Sequence, residues 1–238
     1  MEDSKALQTD VIAAPLHPIV MASVPVRPYY SDEHCVIYHA DCRKVLPWLE
    51  RVDLLLTDPP YGENYSSSRE GRYKGKTIAN DDSTEVRDWV LNWRGYDLPS
   101  LVFGTWRTPV LAAKQALVWD KGDASGMGDL SIPWKPNWEL VFVIGKGFRG
   151  KRDSSVLTGH TVVTWASKGR MHPNLKPLSL MRVLLNKCPD AETVLDPFMG
   201  SGTTLVAAKL EGRKAIGIEI NEKYCESAAE RLRQGVLF

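Results

Sequence analysis

The stretch TVLDPFMGSGTTLVAAKL, residues 193–210, decides the fold of this chain. Thr193, Val194 and Leu195 have the β-branched and apolar character of a buried strand, and Asp196 and Pro197 stop it. Gly200 and Gly202 then punctuate a short loop, and residues 203–210 form an apolar, alanine-containing run suited to a helix. Glycines at such a turn let the backbone approach a ligand without a Cβ clash, and a carboxylate at the strand end suits a positively charged or hydroxyl-bearing group. One connection later, residues 215–220 form a second apolar strand with Glu219 at its carboxyl end. An acidic side chain there is placed to accept hydrogen bonds from both hydroxyls of a ribose. The glycines alone would satisfy a plain strand–helix turn, whereas the order FxGSGTT followed by Glu219 specifies more.

The loop lacks the lysine of a P-loop and the full GxGxxG spacing, so it is not built for a pyrophosphate. A nucleoside ligand without phosphates fits better. S-adenosylmethionine is such a ligand, with an amino-acid group, a sulfonium, a ribose and an adenine.

Working outward, strands are expected at 36–39, 52–57, 100–103, 116–119 and 139–144, with helices at 43–50, 85–93 and 179–187 and a final helix after 220. The alternation predicts an α/β unit with a mostly parallel sheet and helices on both faces. Residues 1–30 read as an extended arm, because Pro15, Pro18, Pro25 and Pro28 prevent a helix and no periodic apolar face appears. Residues 31–238 then form one domain, with loops at 62–82, 122–137 and 145–170 left for recognition.

Asp58-Pro59-Pro60-Tyr61 follows the apolar strand directly. In an open parallel sheet the carboxyl ends of strands border the ligand crevice, so this tetrapeptide should face the cofactor. Its composition suits an exocyclic base amine, a poor nucleophile whose lone pair is delocalised into the ring. The Asp58 carboxylate and the Pro60 carbonyl can each accept one amine hydrogen, which draws the nitrogen toward tetrahedral geometry. The prolines stiffen the turn and remove competing N–H donors, and Tyr61 offers a face on which an extruded base can stack. Alone, the tetrapeptide could be an ordinary strand-ending turn with tyrosine packed on proline.

Composition bounds the partners. Of 238 residues, 43% are hydrophobic and 25% charged, with a formal net charge of +1, so any contact with a polyanion must come from local patches. Basic residues cluster at Arg69, Arg72, Lys74 and Lys76, at Lys146, Arg149, Lys151 and Arg152, and at Lys168 and Arg170. They are the candidate DNA contacts, although any one cluster alone would pass for a solvated loop. Cys35, Cys42, Cys188 and Cys225 show neither CxxC spacing nor disulfide density, and the five histidines form no zinc pattern, so no metal is expected. The apolar stretch at 11–26 is broken by prolines and resembles neither a signal peptide nor a membrane span.

At residues 58–61 and 196–204 the chain resembles the amino-methyltransferase family of DNA methylases, in which DPPY is the catalytic motif and DPFxGSGTT the cofactor motif. The catalytic motif precedes the cofactor motif, which resembles the circularly permuted β class. The resemblance implies a Rossmann-like S-adenosylmethionine-dependent methyltransferase fold. By it, Asp58, Pro59, Pro60 and Tyr61 are catalytic, and Asp41, Asp58, Lys176, Asp196, Phe198, Gly200, Ser201, Gly202, Thr203, Thr204 and Glu219 bind the cofactor. His172-Pro173-Asn174-Leu175-Lys176-Pro177 is similar to the family segment HPtqKP, with Leu175 in place of the usual glutamine; packing at the start of a helix is the alternative role for His172. Phe103-Gly104-Thr105-Trp106 resembles another cofactor-bordering segment, although Trp106 is equally a core candidate. An aspartate at the first position of DPPY occurs more often with adenine N6 than with cytosine N4 methylation. The expectation is therefore N6-adenine methylation of double-stranded DNA with a flipped target base, in the cytoplasm of a bacterial or phage-infected cell, at the nucleoid. Cytosine N4, an RNA or protein amine, and a silent binding scaffold are the alternatives. A restriction partner and a homodimer stay open.

Overall fold

The computed structural model describes residues 24–50, 52–64, 78–122, 130–160 and 175–234. Nine strands are present among them: β1 (Tyr30–Ser31), β2 (Cys35–His39), β3 (Leu54–Thr57), β4 (Ser100–Gly104), β5 (Gln115–Asp120), β6 (Trp138–Ile144), β7 (Val156–Leu157), β8 (Thr193–Asp196) and β9 (Lys214–Glu219). The helices are α1 (Glu85–Trp93), α2 (Leu178–Leu185), α3 (Thr203–Leu210) and α4 (Glu222–Arg233). All strands join one sheet in the order β1-β2-β9-β8-β3-β4-β6-β5-β7.

The run from β2 to β4 is parallel throughout. Its strands are short apolar sequences buried on both faces, as in β3, where Leu54, Leu55 and Leu56 are all buried. Alternate residues feed two cores. Leu54, Leu56 and Phe103 pack with α2, α3 and α4 on one side. Leu55, Val102 and Ile216 pack with Val86, Val90 and Leu91 of α1 on the other. The sheet is thus mostly parallel with helices on both faces.

Beyond β4 the direction changes. β6 lies antiparallel to β4 and to β5, because chain order places β5 outside and returns β6 into the gap. The expected helix at 43–50 is instead two 3-10 turns, Cys42–Lys44 and Leu46–Trp48. Pro47 explains this: it removes one backbone donor and disfavours the α conformation of Leu46.

The arrangement of β3 and β8 positions the site. They are neighbours, yet β3 leads through α1 to β4 on one side and β8 leads through α3 to β9 on the other. Divergent connections from adjacent parallel strands leave a crevice at their carboxyl ends.

Candidate active site

The loop after β8 is held open from below. Gly200 and Gly202 adopt left-handed backbone, at φ +52° and +79°. A Cβ on Gly202 would stand 2.8 Å from that of Ala228, so the glycine lets α3 begin against α4. At Gly200, by contrast, a Cβ would meet nothing within 4 Å, so the backbone there borders open space. Arg231 of α4 donates to the Ser201 carbonyl at 2.6 Å and to Thr203 Oγ1 at 3.1 Å, tying the outer loop to the body.

Asp196 and Glu219 close the two strand ends differently. Asp196 is buried and accepts from Thr57 Oγ1 at 2.7 Å, Thr204 Oγ1 at 2.6 Å and Phe198 N at 3.2 Å. It joins β3 to β8 and caps the turn. Burial pushes its carboxyl up to about 6 despite these donors. Glu219 accepts from Gly200 N at 3.0 Å and Asn221 N at 2.8 Å, and its carboxyl is raised mainly by burial, against those same backbone donors. Asp41 lies two residues past β2 and caps the first 3-10 turn. Its bidentate contact with Arg43 holds its carboxyl below the usual range.

At the end of β3, Pro59 and Pro60 are buried and Asp58 faces a charged cluster. Its Oδ1 accepts from the Tyr61 hydroxyl at 2.7 Å and its Oδ2 from Lys176 Nζ at 2.6 Å. Thr108 Oγ1, beyond β4, donates to the Tyr61 carbonyl at 2.9 Å and fixes the end of the tetrapeptide. Lys176 is only 7% exposed, lies over the Phe103 ring at 4.8 Å, and pairs also with Glu139 Oε2 at 3.0 Å. Burial works to lower its pKa, but Asp58 and Glu139 more than offset this and the net direction is upward. Burial and then the Asp58 charge raise the Tyr61 phenol well above its ordinary value.

These groups surround one cavity of about 480 Å³. Asp41, Asp58, Pro59, Pro60, Tyr61, Lys176, Asp196, Phe198, Gly200, Ser201, Thr203, Thr204 and Glu219 line it, so motifs far apart in sequence meet there. Gly202 stands behind the loop. Arg149, Lys151 and Arg152 do not join them. Ile144, at the end of β6, pairs with Ser100 at the amino end of β4, so the chain that follows leaves the sheet opposite the cavity. Arg149 pairs there with Asp190 at 2.9 Å, and the Lys151 carbonyl accepts from Lys187. Arg69, Arg72, Lys74, Lys76, Lys168, Arg170 and His172 lie outside the described residues, as do residues 1–23 of the arm. Trp106 is 61% exposed and stacked by Arg107, which removes the core reading of it.

The sequence reading overlooked Glu139, Lys121 and Arg231. Glu139 sits at the start of an apolar strand, where a single charge passes for a solvated end; Arg231 lies in a charged helix and turns inward. None of the three positions carries a local signal of its partner, which comes from another element.

Comparison with known proteins agrees with this architecture. Residues 132–230 match the N6_N4_Mtase family model, described as DNA methylase. The Type II methyltransferase M2.LlaDCHI of Lactococcus lactis subsp. cremoris is 26% identical, over 89% of this chain and 94% of that protein. Among solved structures, the M1.HpyAVI–SAM complex superposes with a TM-score of 0.58 at 22% identity, covering 83% of this chain and 99% of that one. The cytosine-N4-specific PvuII DNA methyltransferase gives a TM-score of 0.61 at 20% identity, covering 87% and 89% respectively. At those identities the structures establish a shared fold. Its carboxyl-terminal part thus matches a DNA methylase family model, and the chain as a whole is similar in sequence and in fold to DNA methyltransferases.

Proposed function

We propose that this chain methylates the N6 amine of adenine in double-stranded DNA, using S-adenosylmethionine and a target base flipped out of the helix. One observation carries the reading: Asp58 and Pro60 open into the same cavity as the glycine loop and Glu219. The residues fit the cofactor. The cavity has the size of a small-molecule site, the backbone at Gly200 borders open space, and each Glu219 oxygen, although it accepts one backbone N–H, keeps acceptor capacity for a ribose hydroxyl. Asp41 would border the adenine end and Lys176 the methionine end. Asp196, with its oxygens already occupied by Thr57, Thr204 and Phe198, would act chiefly by shaping the loop.

When bound, S-adenosylmethionine supplies an electrophilic sulfonium methyl. The chain's part is to present the amine. Asp58 would accept one amine hydrogen and the Pro60 carbonyl the other, turning the nitrogen lone pair toward the methyl. Both Asp58 oxygens already hold one donor each, and a carboxylate oxygen accepts a second without losing the first. The buried prolines hold this turn rigid, and Tyr61 offers the stacking face. Arg69, Arg72, Lys74, Lys76, Lys168 and Arg170 remain the candidate phosphate contacts. Such an enzyme would work in the cytoplasm, on the nucleoid.

The preference for adenine rests on Asp58 standing first in the tetrapeptide, as in the resemblance. The test is digestion of DNA methylated by the purified protein, followed by nucleoside identification. N6-methyldeoxyadenosine supports the reading, whereas N4-methyldeoxycytidine alone would move the assignment to cytosine. Label in RNA but never in DNA would overturn it.

A further inference from the structure

Glu139 enters the cavity from β6, a strand that carries none of the motifs above. Its Oε1 receives Lys121 Nζ at 2.5 Å and its Oε2 lies 3.0 Å from Lys176 Nζ. Lys176 in turn donates to Asp58 Oδ2 at 2.6 Å, and the Tyr61 hydroxyl takes Asp58 Oδ1 at 2.7 Å. The line Lys121–Glu139–Lys176–Asp58–Tyr61 therefore runs from the end of β5 to the tetrapeptide, and its two carboxylates and two ammonium groups balance in charge.

Such a cluster is costly to bury, since each ion loses its hydration. Lys176 is nearly inaccessible to solvent, so its ammonium must be matched by carboxylates. If Asp58 alone matched it, the full ammonium charge and all the directional bonding of Lys176 would fall on the carboxylate that has to receive the base amine. Glu139, an ion-pair partner 3.0 Å from Nζ, divides that charge and gives the ammonium a second anchor. Asp58 then meets a lysine whose position is set independently of substrate, which is what preorganisation of an acceptor requires.

We infer that Glu139 is a positioning residue for methyl transfer: held by Lys121, it anchors the Lys176 ammonium and so sets the orientation and hydrogen-bonding capacity of the Asp58 carboxylate. This rests on the role proposed above for Asp58. Glu139 touches neither the base nor the cofactor in this account; it acts through Lys176.

The experiment is a double-mutant cycle on the full chain with Glu139→Gln, Lys176→Met and the pair, plus Glu139→Asp as the conservative variant. Single-turnover transfer of labelled methyl from S-adenosylmethionine to unmethylated DNA is read beside cofactor affinity and thermal unfolding. Glu139→Gln should slow transfer on the order of tenfold, the scale of one charge-assisted hydrogen bond. Cofactor affinity should fall far less than the transfer rate, and Glu139→Asp should recover part of the rate. On the Lys176→Met background Glu139→Gln should have no further effect, because its effect passes through the lysine. Transfer by Glu139→Gln at the wild-type rate, an equal loss on both backgrounds, or a matching loss of cofactor affinity would each overturn the inference. Should Glu139→Gln unfold below the assay temperature, Glu139→Asp decides alone: slower transfer with unchanged cofactor affinity supports the role, and the wild-type rate removes it. Failure of the wild-type chain to label DNA would instead sink the proposed function itself.

Discussion

Glu219 and Asp196 end adjacent strands with the same functional group and opposite surroundings. Glu219 is held by two backbone donors and faces the cavity, so Glu219→Ala should weaken S-adenosylmethionine binding by about tenfold to a hundredfold, the scale of one or two hydrogen bonds to a charged acceptor. Isothermal titration calorimetry measures it, and an unchanged affinity would place the ribose elsewhere. Asp196 predicts a pH effect. Its pKa rises from 3.8 to about 6 on folding, so the folded state holds its proton more tightly than the unfolded chain. The contribution is fully present below about pH 4 and is lost as pH climbs toward 6, a change of about 3 kcal/mol. Denaturant unfolding of wild type and Asp196→Asn should therefore show a stability difference that shifts against wild type across that window, and a flat difference would contradict it. Both acids were legible as strand-end carboxylates, because position along a strand is written locally. Which of them faces inward was not, since it depends on Thr57, which is 139 residues away in sequence from Asp196.

At the scale of elements, Gly202 joins the loop to helix packing. Its positive φ and the Ala228 methyl 2.8 Å from an added Cβ predict that Gly202→Ala destabilises the chain by about 1–3 kcal/mol, measured by urea unfolding. The same substitution at Gly200 meets no neighbour and carries only the backbone term, so it should cost less stability. α1 was readable to its ends, Glu85–Trp93, because apolar residues at helical spacing face one core and Gly95 follows its last turn. The 3-10 turns at 42–48 were not, although Pro47 was the available warning. β1 and β7 are two-residue strands whose pairing comes wholly from their neighbours, and no sequence pattern announces them.

Across the whole molecule, the parallel centre of the sheet followed from alternating strands and helices, whereas the antiparallel insertion of β6 did not, because strand order is set by long-range pairing. That insertion carries a functional consequence. It sends Arg149, Lys151 and Arg152 to the end of the sheet opposite the cavity, so Arg149→Glu with Lys151→Glu should leave DNA affinity and its salt dependence unchanged in a fluorescence anisotropy titration. A loss of affinity with a shallower salt slope would instead place DNA on that face. The central claim is that β3 and β8 bring an amine-orienting tetrapeptide to a cofactor loop. The most direct test compares wild type with Asp58→Ala for labelled methyl transfer to DNA, with S-adenosylmethionine affinity measured on both. Lys176 keeps Glu139 as its partner in the variant, so the fold should survive. Cofactor binding that persists while transfer falls by about a thousandfold or more is the predicted result; an Asp58→Ala chain that still methylates DNA at the wild-type rate would contradict it.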